Sequence, residues 1–445
     1  MTLLTEPFYW GAATASYQVE GSPLADGAGR CIWDEFVHTP GTISDQGTGD
    51  VAADHYHRWR EDIALMASLG LNAYRFSVRW PRVLPDGKSK INRRGLDFYD
   101  RLVDGLLAVG IEPFVTLYHW DLPAALFRLG GWSNPDIASW FAEYATVVAS
   151  ALGDRVKYWL TLNEPFVVSS EGHLVGAHAP GLRNIYQACH SLHNQLRAHV
   201  EGHQALKAAS HDARVGLALH NAAVWPESGS AADLAAAERA EAWHNFPLFL
   251  GPLVHGAYPE ALESRLAPFL PAGYSNDMDD LCMPPDFVGL NYYFGHLARH
   301  CDTNWLGFET VEVPGAPKTS MGWTVLPDGL RRVIAQAHDT YKLPAIFVTE
   351  NGAAFPDTLA GGHVHDPERK AYLRSHVLAV LQARDEGAPV RGYFVWSLLD
   401  NFEWGHGYTK RFGLVYVDYP TQRRVIKDSG HWYAQLARTG VPPEI

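Results

Sequence analysis

Cysteine is scarce in this chain, with four among 445 residues. Cys31, Cys189, Cys282 and Cys301 lie far apart and form no CxxC pair. A disulfide scaffold and a zinc knuckle are therefore excluded, and the four read as reduced thiols. Charge is also sparse, at 19% of residues, and it leans acidic: 36 Lys plus Arg against 49 Asp plus Glu give −13. Such a surface suits neither nucleic acid nor an anionic membrane. Long apolar runs are missing; Glu112 and Asp121 interrupt the best one, so no membrane span is expected. The opening MTLLTEPFYWGAAT has no basic n-region and no apolar h-region. No secretory signal is expected from it, and a soluble, cytoplasmic protein is predicted. Linkers and low-complexity stretches are lacking as well, so residues 1–445 are expected to form one domain.

What the chain has in quantity is apolar and aromatic surface: 47% hydrophobic residues, 12% aromatics and fifteen Trp. That composition excludes disorder and provides for a sizeable core. Short apolar runs recur at 8–13, 74–78, 113–118, 156–161, 215–219, 287–291, 345–349 and 392–396. Near-continuous apolar runs are the mark of parallel strands buried on both faces. Amphipathic stretches at 54–69, 96–109 and 138–152 lie between them, each followed by a glycine stop: Gly70, Gly110 and Gly153. Eight strands alternating with helices predict an α/β fold, a single (β/α)8 TIM barrel with its active site at the C-terminal ends of the strands. Longer irregular stretches at 21–49, 177–184, 300–320 and 353–366 are expected to be loops over that face. A doubly wound nucleotide-binding sheet is the competing architecture, but Gly11-Ala12-Ala13 lacks the later glycines of a GxGxxG turn.

The strand ends are where barrel chemistry sits, and here they are rich in hydrogen-bonding and aromatic groups. The runs lead in turn to Gln18 and Glu20, Arg79-Trp80, His119-Trp120-Asp121, Asn163-Glu164-Pro165, His220-Asn221, Asn291-Tyr292-Tyr293, Glu350-Asn351-Gly352, and Trp396 followed by Glu403-Trp404. One glutamate at a strand end is ordinarily a solvated rim charge. Two, Glu164 and Glu350, each beside an Asn and on strands four and seven, can face each other across the barrel mouth. Hydrolysis of a glycoside needs such a pair, about 5–5.5 Å apart when configuration is retained.

The order of motifs is more specific than any of them singly. FYWGAATASYQVEG (8–21), DHYHRWREDIALM (54–66), YRFSVRWPRVLPDG (74–87), FVTLYHWDLP (114–123), TLNEP (161–165), HAPG (178–181), GLNYY (289–293), VTENG (348–352) and WSLLDNFEW (396–404) span nearly the whole chain. In this the sequence resembles glycoside hydrolase family 1, the retaining β-glucosidase family. The resemblance implies an exo-acting β-glycosidase, foremost a β-glucosidase, that acts on terminal non-reducing β-D-glucosyl residues through a covalent glycosyl-enzyme. It implies Glu164 as acid/base and Glu350 as nucleophile. Arg75 and Tyr293 would keep Glu350 ionised, while burial or a nearby negative charge would keep Glu164 protonated. Gln18, His119, Trp120, Asn163, Asn291, Tyr293, Trp396, Glu403, Trp404 and Phe412 would bind the sugar, with Trp396 as stacking platform and Trp404 as an indole donor beside Glu403. No cofactor and no metal is implied; the partners are small β-glycosides or oligosaccharides, and homo-oligomerisation stays open.

Departures from the family pattern gather on the leaving-group side. Phe166 stands where Trp is common, Glu171 and His173 lie one turn further on, and Ser320 precedes Met321-Gly322-Trp323 where an acid is common. Phe166, Glu171, His173 and Trp323 are thus expected around the aglycone. Among 22 histidines, the pairs His55-x-His57 and His363-x-His365 invite a metal reading. Residues two apart on a helix point away from each other, and no third ligand is evident. A phospho-β-glycosidase is disfavoured by Glu403, whose charge would repel a 6-phosphate. A non-catalytic sugar binder has no reason to keep both glutamates. Broader β-glucosidase, β-galactosidase and β-fucosidase activity, or transglycosylation, would use the same site.

Overall fold

The computed structural model describes residues 8–444. Its centre is a closed barrel of eight parallel strands: β1 (Tyr9–Ala13), β2 (Ala73–Ser77), β3 (Glu112–Tyr118), β4 (Tyr158–Asn163), β5 (Arg214–Pro226), β6 (Phe287–His300), β7 (Ile346–Asn351) and β8 (Val390–Trp396). Each is followed by a principal helix: α1 (His55–Leu69), α2 (Arg93–Ala108), α3 (Ile137–Leu152), α4 (Ile185–Ala209), α5 (Ala231–His244), α6 (Pro327–Tyr341), α7 (Pro367–Asp385) and α8 (Asp428–Thr439). The ring closes where β1 pairs with β8, Tyr9 opposite Gly392 and Ala13 opposite Trp396. This is the predicted (β/α)8 architecture.

The pleat explains how the site is carried. Inside the barrel, Ala73, Phe114, Leu160, Ala218, Phe287, Phe347 and Phe394 form a compact apolar plug. Phe114 stacks on Tyr158 at 4.3 Å and meets Phe394 edge-on at 4.8 Å. Side chains two residues apart share a face. One step further along the same strands therefore places Arg75, Thr116, Thr349 and Trp396 directly above this plug. The larger apolar core lies between the strands and the helix ring, built by residues such as Trp80, Tyr144, Trp159, Leu196 and Val380.

Two strands run further than the sequence indicated. Expected to stop at residues 219 and 291, β5 and β6 continue past the rim as a paired ribbon, Ala223 opposite Gly295 and Trp225 opposite Leu297. The strand Phe308–Val311 pairs antiparallel with the end of β6, so the expected loop 300–320 is partly sheet. Their polar stops, His220-Asn221 and Asn291, lie inside continuous strands and are not strand ends. The stretch 353–366 likewise contains a small hairpin, Leu359–Ala360 with His363–Val364. The stretch 21–49 contains a short helix, Ile32–Phe36.

Beneath the loops after β7 and β8 lies a buried ionic cluster. Arg369 pairs with Asp357 at 3.0 Å and with Asp366; Lys427 bridges Asp357 at 2.6 Å and Asp400 at 2.7 Å; Arg411 closes on Asp400 at 2.6 Å. Each buried charge is matched, which is the condition for tolerating it. All four cysteines are free thiols. Among the described residues no helix is long and apolar enough to cross a membrane.

Candidate active site

A cavity of about 540 Å³ opens at the C-terminal ends of the strands. That is ample for a small ligand. Its inner wall is formed by His119, Asn163, Glu164, Tyr293, Glu350, Trp396, Glu403 and Trp404, its outer wall by Phe166, Val167, Leu174, Trp243, Phe294, Met321 and Trp323. No Lys or Arg is among the residues that line it.

Glu350 is gripped on both carboxylate oxygens. The Arg75 Nη1 donates to Oε1 at 2.6 Å and the Tyr293 hydroxyl to Oε2 at 2.6 Å. Arg75 is itself fixed, by Nη2 to Asn163 Oδ1 at 2.6 Å and by Nε to Thr116 Oγ1 at 3.1 Å. Burial pushes Glu350 up to about 7; Arg75 works against this, Glu164 adds to it, and the Tyr293 and Arg75 hydrogen bonds lower it again. Gly352, just past β7, lies so close to the Trp396 backbone that a Cβ there would sit 1.8 Å from the Trp396 oxygen. Only glycine lets the two strand ends meet.

Glu164 precedes the helix Pro165–Ser169 and adopts a left-handed backbone, φ 46°. Its N–H donates to Ala218 O at 2.8 Å, and its Oε1 accepts from Asn291 Nδ2 at 2.8 Å. Trp120 (φ 77°) and Trp404 (φ 45°) are also left-handed non-glycine residues on the cavity wall. Strained backbone gathered at one cavity is characteristic of a functional site.

The remaining inner residues form one polar mesh. Asn163 and the His119 Nε2 lie 3.0 Å apart, and the Trp120 indole donates to Asn163 O at 2.9 Å. Burial, then Arg75, drives His119 well below its usual range, so its imidazole is neutral. The His119 ring stacks on Trp396 at 5.8 Å. Glu403 is pushed up to about 8 by burial, then by Glu350 and Glu164, against hydrogen bonds from Trp396 and Gln18. Gln18 Oε1 and His119 Nδ1 are buried without a protein partner among the described residues. Trp404 packs on Trp33 and Trp120, each at 4.5 Å, and Phe412 lies 6.1 Å from Trp323 and 6.2 Å from Tyr293.

Gln18, Arg75 and Asn291 stand just behind the wall and act on the residues that form it. On the side expected to face the leaving group, Phe166 stacks on His220 at 5.8 Å and meets Trp243 at 5.4 Å, and Trp323 meets Phe294 at 5.5 Å. Glu171 lines the cavity, where burial raises its carboxyl. His173 departs from expectation: it is buried away from the cavity, its Nδ1 on Val168 O at 2.8 Å, because the wide turn at 170–175 carries it inward. Sequence reading named His220 as a strand end but gave it no role; its place in β5, two residues beyond Ala218, puts it beside Glu164. His55 and His57 part as expected, to Asp62 and Asp54, whereas His363 and His365 both close on Asp428. Among the described residues no group of three such side chains is placed to hold a metal.

A parallel barrel that brings Glu164 and Glu350 to one cavity, among aromatic platforms and neutral hydrogen-bonding groups, has the build of a glycoside hydrolase. Matching its pattern over residues 2–441, the chain belongs to glycosyl hydrolase family 1. It is 50% identical over 439 residues to the 1,4-beta-D-glucan glucohydrolase of Thermotoga neapolitana, covering 98% of this chain and 99% of that one. It is also 50% identical over 434 residues to beta-glucosidase A of Thermotoga maritima, covering 97% of each. A solved structure of the Thermotoga maritima beta-glucosidase in complex with deoxynojirimycin superposes with a TM-score of 0.96, at 50% identity, over 98% of this chain and 99% of that one.

Proposed function

We propose that this chain is an exo-acting, retaining β-glucosidase in which Glu350 is the nucleophile and Glu164 the acid/base. The observation that carries the reading is the asymmetry of the two carboxyls: Arg75 and Tyr293 grip both oxygens of Glu350, while Glu164 meets only the neutral amide of Asn291 within hydrogen-bonding distance. Donors arranged on Glu350 hold its charge for attack. In the first half, a Glu350 oxygen forms a bond to the anomeric carbon as the glycosidic C–O bond breaks, and Glu164 gives its proton to the departing oxygen. In the second, Glu164 takes a proton from water, whose oxygen bonds to the anomeric carbon and releases Glu350. Two inversions at one carbon retain configuration.

Glycone binding rests on the inner mesh. Asn163, held by Arg75, is placed for the 2-hydroxyl, where bonds strengthen as charge develops on the ring. His119 and Glu403 take the outer hydroxyls, with Gln18 holding Glu403 from behind, and Trp396 offers its face. A 6-phosphate is disfavoured because none of the residues that line the cavity is a Lys or Arg to receive it. The name of the Thermotoga neapolitana relative makes β-1,4-linked glucosides the first oligosaccharides to test. Turnover of an aryl β-glucoside with β-glucose as first product is expected. A 2-deoxy-2-fluoroglucoside should trap an adduct on Glu350. Turnover with an adduct on any other residue would overturn the assignment.

A further inference from the structure

We propose that His220 is a positioning residue for the acid/base, holding the Glu164 carboxylate once its proton has left with the aglycone; this rests on Glu164 having that role. The imidazole Nδ1 lies 3.8 Å from Glu164 Oε1, and the side chain is 10% exposed. The placement is built, not incidental. The Glu164 N–H is pinned to Ala218 O, two residues before His220 on β5. His220 is also paired across the sheet with Asn291, whose amide donates to the same carboxylate oxygen. The ring is steadied by stacking on Phe166, interplanar angle 17°, and by Phe294 at 5.8 Å. Asn291 is locked in turn by Thr349, which donates to its Oδ1 at 2.7 Å. It supplies a fixed neutral donor, whereas an imidazole can also take up charge.

Four titratable groups face His220. Glu164 faces it from the end of β4, Glu171 from the turn at 170–175, His244 from the end of α5, and His296 from β6. Burial holds His244 well below the usual range and His296 at about 4, with His220 contributing to both shifts. Both are therefore neutral near pH 7, and the charged groups facing His220 are carboxyls. When Glu164 gives up its proton, the new carboxylate finds a donor within a small side-chain movement. The same contact keeps Glu164 ionised in the glycosyl-enzyme, ready to deprotonate water.

The test compares His220→Phe, which keeps the stacking ring but no donor, with His220→Gln, which keeps a donor but cannot become charged. Two pH profiles are read: kcat/KM for an aryl glucoside with a poor leaving group, whose basic limb marks loss of the acid, and deglycosylation with a dinitrophenyl glucoside, whose acidic limb marks loss of the base. Removing a neighbour that favours the carboxylate makes Glu164 keep its proton to higher pH. Both limbs should therefore move up in His220→Phe, by about one unit, and by less in His220→Gln. Limbs that stay in place in a folded variant would overturn the proposal, even if KM changes across aglycones, because packing on Phe166 alone moves no limb. Should His220→Phe fail to fold, His220→Gln reads the same two limbs. Glu164→Ala separates the two claims. A basic limb that survives there defeats the acid/base assignment itself, whereas a limb lost there but unmoved in the His220 variants defeats only the role of His220.

Discussion

The inner and outer halves of the cavity are built on opposite principles. The inner wall is polar and cross-bonded: Arg75 alone touches Thr116, Asn163, Thr349 and Glu350, and Glu350 is held from both sides. The outer wall is mainly apolar, with Glu171 and His220 among its few polar members, and is joined by ring contacts, Phe166 on Trp243 and Trp323 on Phe294. Preorganised donors stabilise charge that develops at one defined place, so their value depends on fixed position. Apolar walls reward buried area with little regard for direction. On the proposed reading, chemistry and glycone identity are thus concentrated inside, and tolerance to the leaving group outside. Inner substitutions should cause large, step-specific losses, whereas outer ones should cause small changes in preference.

The largest expected effect is in Glu350→Gly. Hydrolysis should fall by about 10,000-fold or more, the scale of removing a nucleophile. With an α-glucosyl fluoride occupying the space of the missing carboxylate, the variant should build new β-glycosidic bonds. Absence of both effects in a folded variant would remove Glu350 from the role. Glu164→Ala should cost about 100- to 10,000-fold for poor leaving groups and far less for dinitrophenyl glucosides. Azide should restore turnover as a β-glucosyl azide. Equal losses across leaving groups would place the acid elsewhere.

Glu403→Ala removes a carboxyl acceptor, and kcat/KM for glucosides should fall by about 1.5–3 kcal/mol. Sugars without a 6-hydroxyl should lose less; an equal loss would put Glu403 outside the glycone wall. The same residue gives a prediction of opposite sign for stability. Folding raises Glu403 to about 8, so the native state keeps a proton that the unfolded chain, titrating at about 4.3, has released. Its contribution is therefore complete below about pH 4.3 and is lost as pH climbs through about 8. Glu403→Gln should raise the thermal midpoint relative to wild type, and by more at pH 8 than at pH 5. A difference that does not depend on pH would refute the argument.

The smallest effect belongs outside. Phe166→Trp enlarges a ring between His220 and Trp243, and an extra ~40 Å² of apolar contact gives about 1 kcal/mol. KM for aryl glucosides and cellobiose should shift, while deglycosylation, which begins after the aglycone has left, should not. A change confined to deglycosylation would mean that the inner and outer halves are not separate.

Legibility in the sequence follows the same division. The eight strands were readable because burial on both faces leaves a local apolar signature, and both glutamates stood out as charges attached to it. What local pattern could not reveal was who holds whom. Arg75 and Glu350 are 275 residues apart and Gln18 and Glu403 are 385 apart, so no periodicity reports their contact. Polar residues inside β5 and β6 disguised strands that run on to Pro226 and His300, because pairing beyond the rim needs no continuous apolar run. His173, expected near the aglycone, is instead carried inward by the wide turn at 170–175, which position along the chain alone does not reveal. The ionic cluster of Asp357, Arg369, Asp366, Lys427 and Asp400 left no signal, since its charges are scattered over 71 residues and match only in space.

The closure of the barrel has a consequence for how the enzyme comes into being. Its first strand pairs with its last, and Glu403 on the inner wall is held by Gln18 from the other end of the chain. A nascent chain stopped before Val390 has Glu164 and Glu350 in its sequence but neither the sealing strand β8 nor Trp396, Glu403 and Trp404 of the cavity wall. Such long-range pairings form late, since distant segments must first be brought together. Activity should therefore emerge in one step at the end of synthesis, so that interrupted or C-terminally clipped chains are silent instead of partly active.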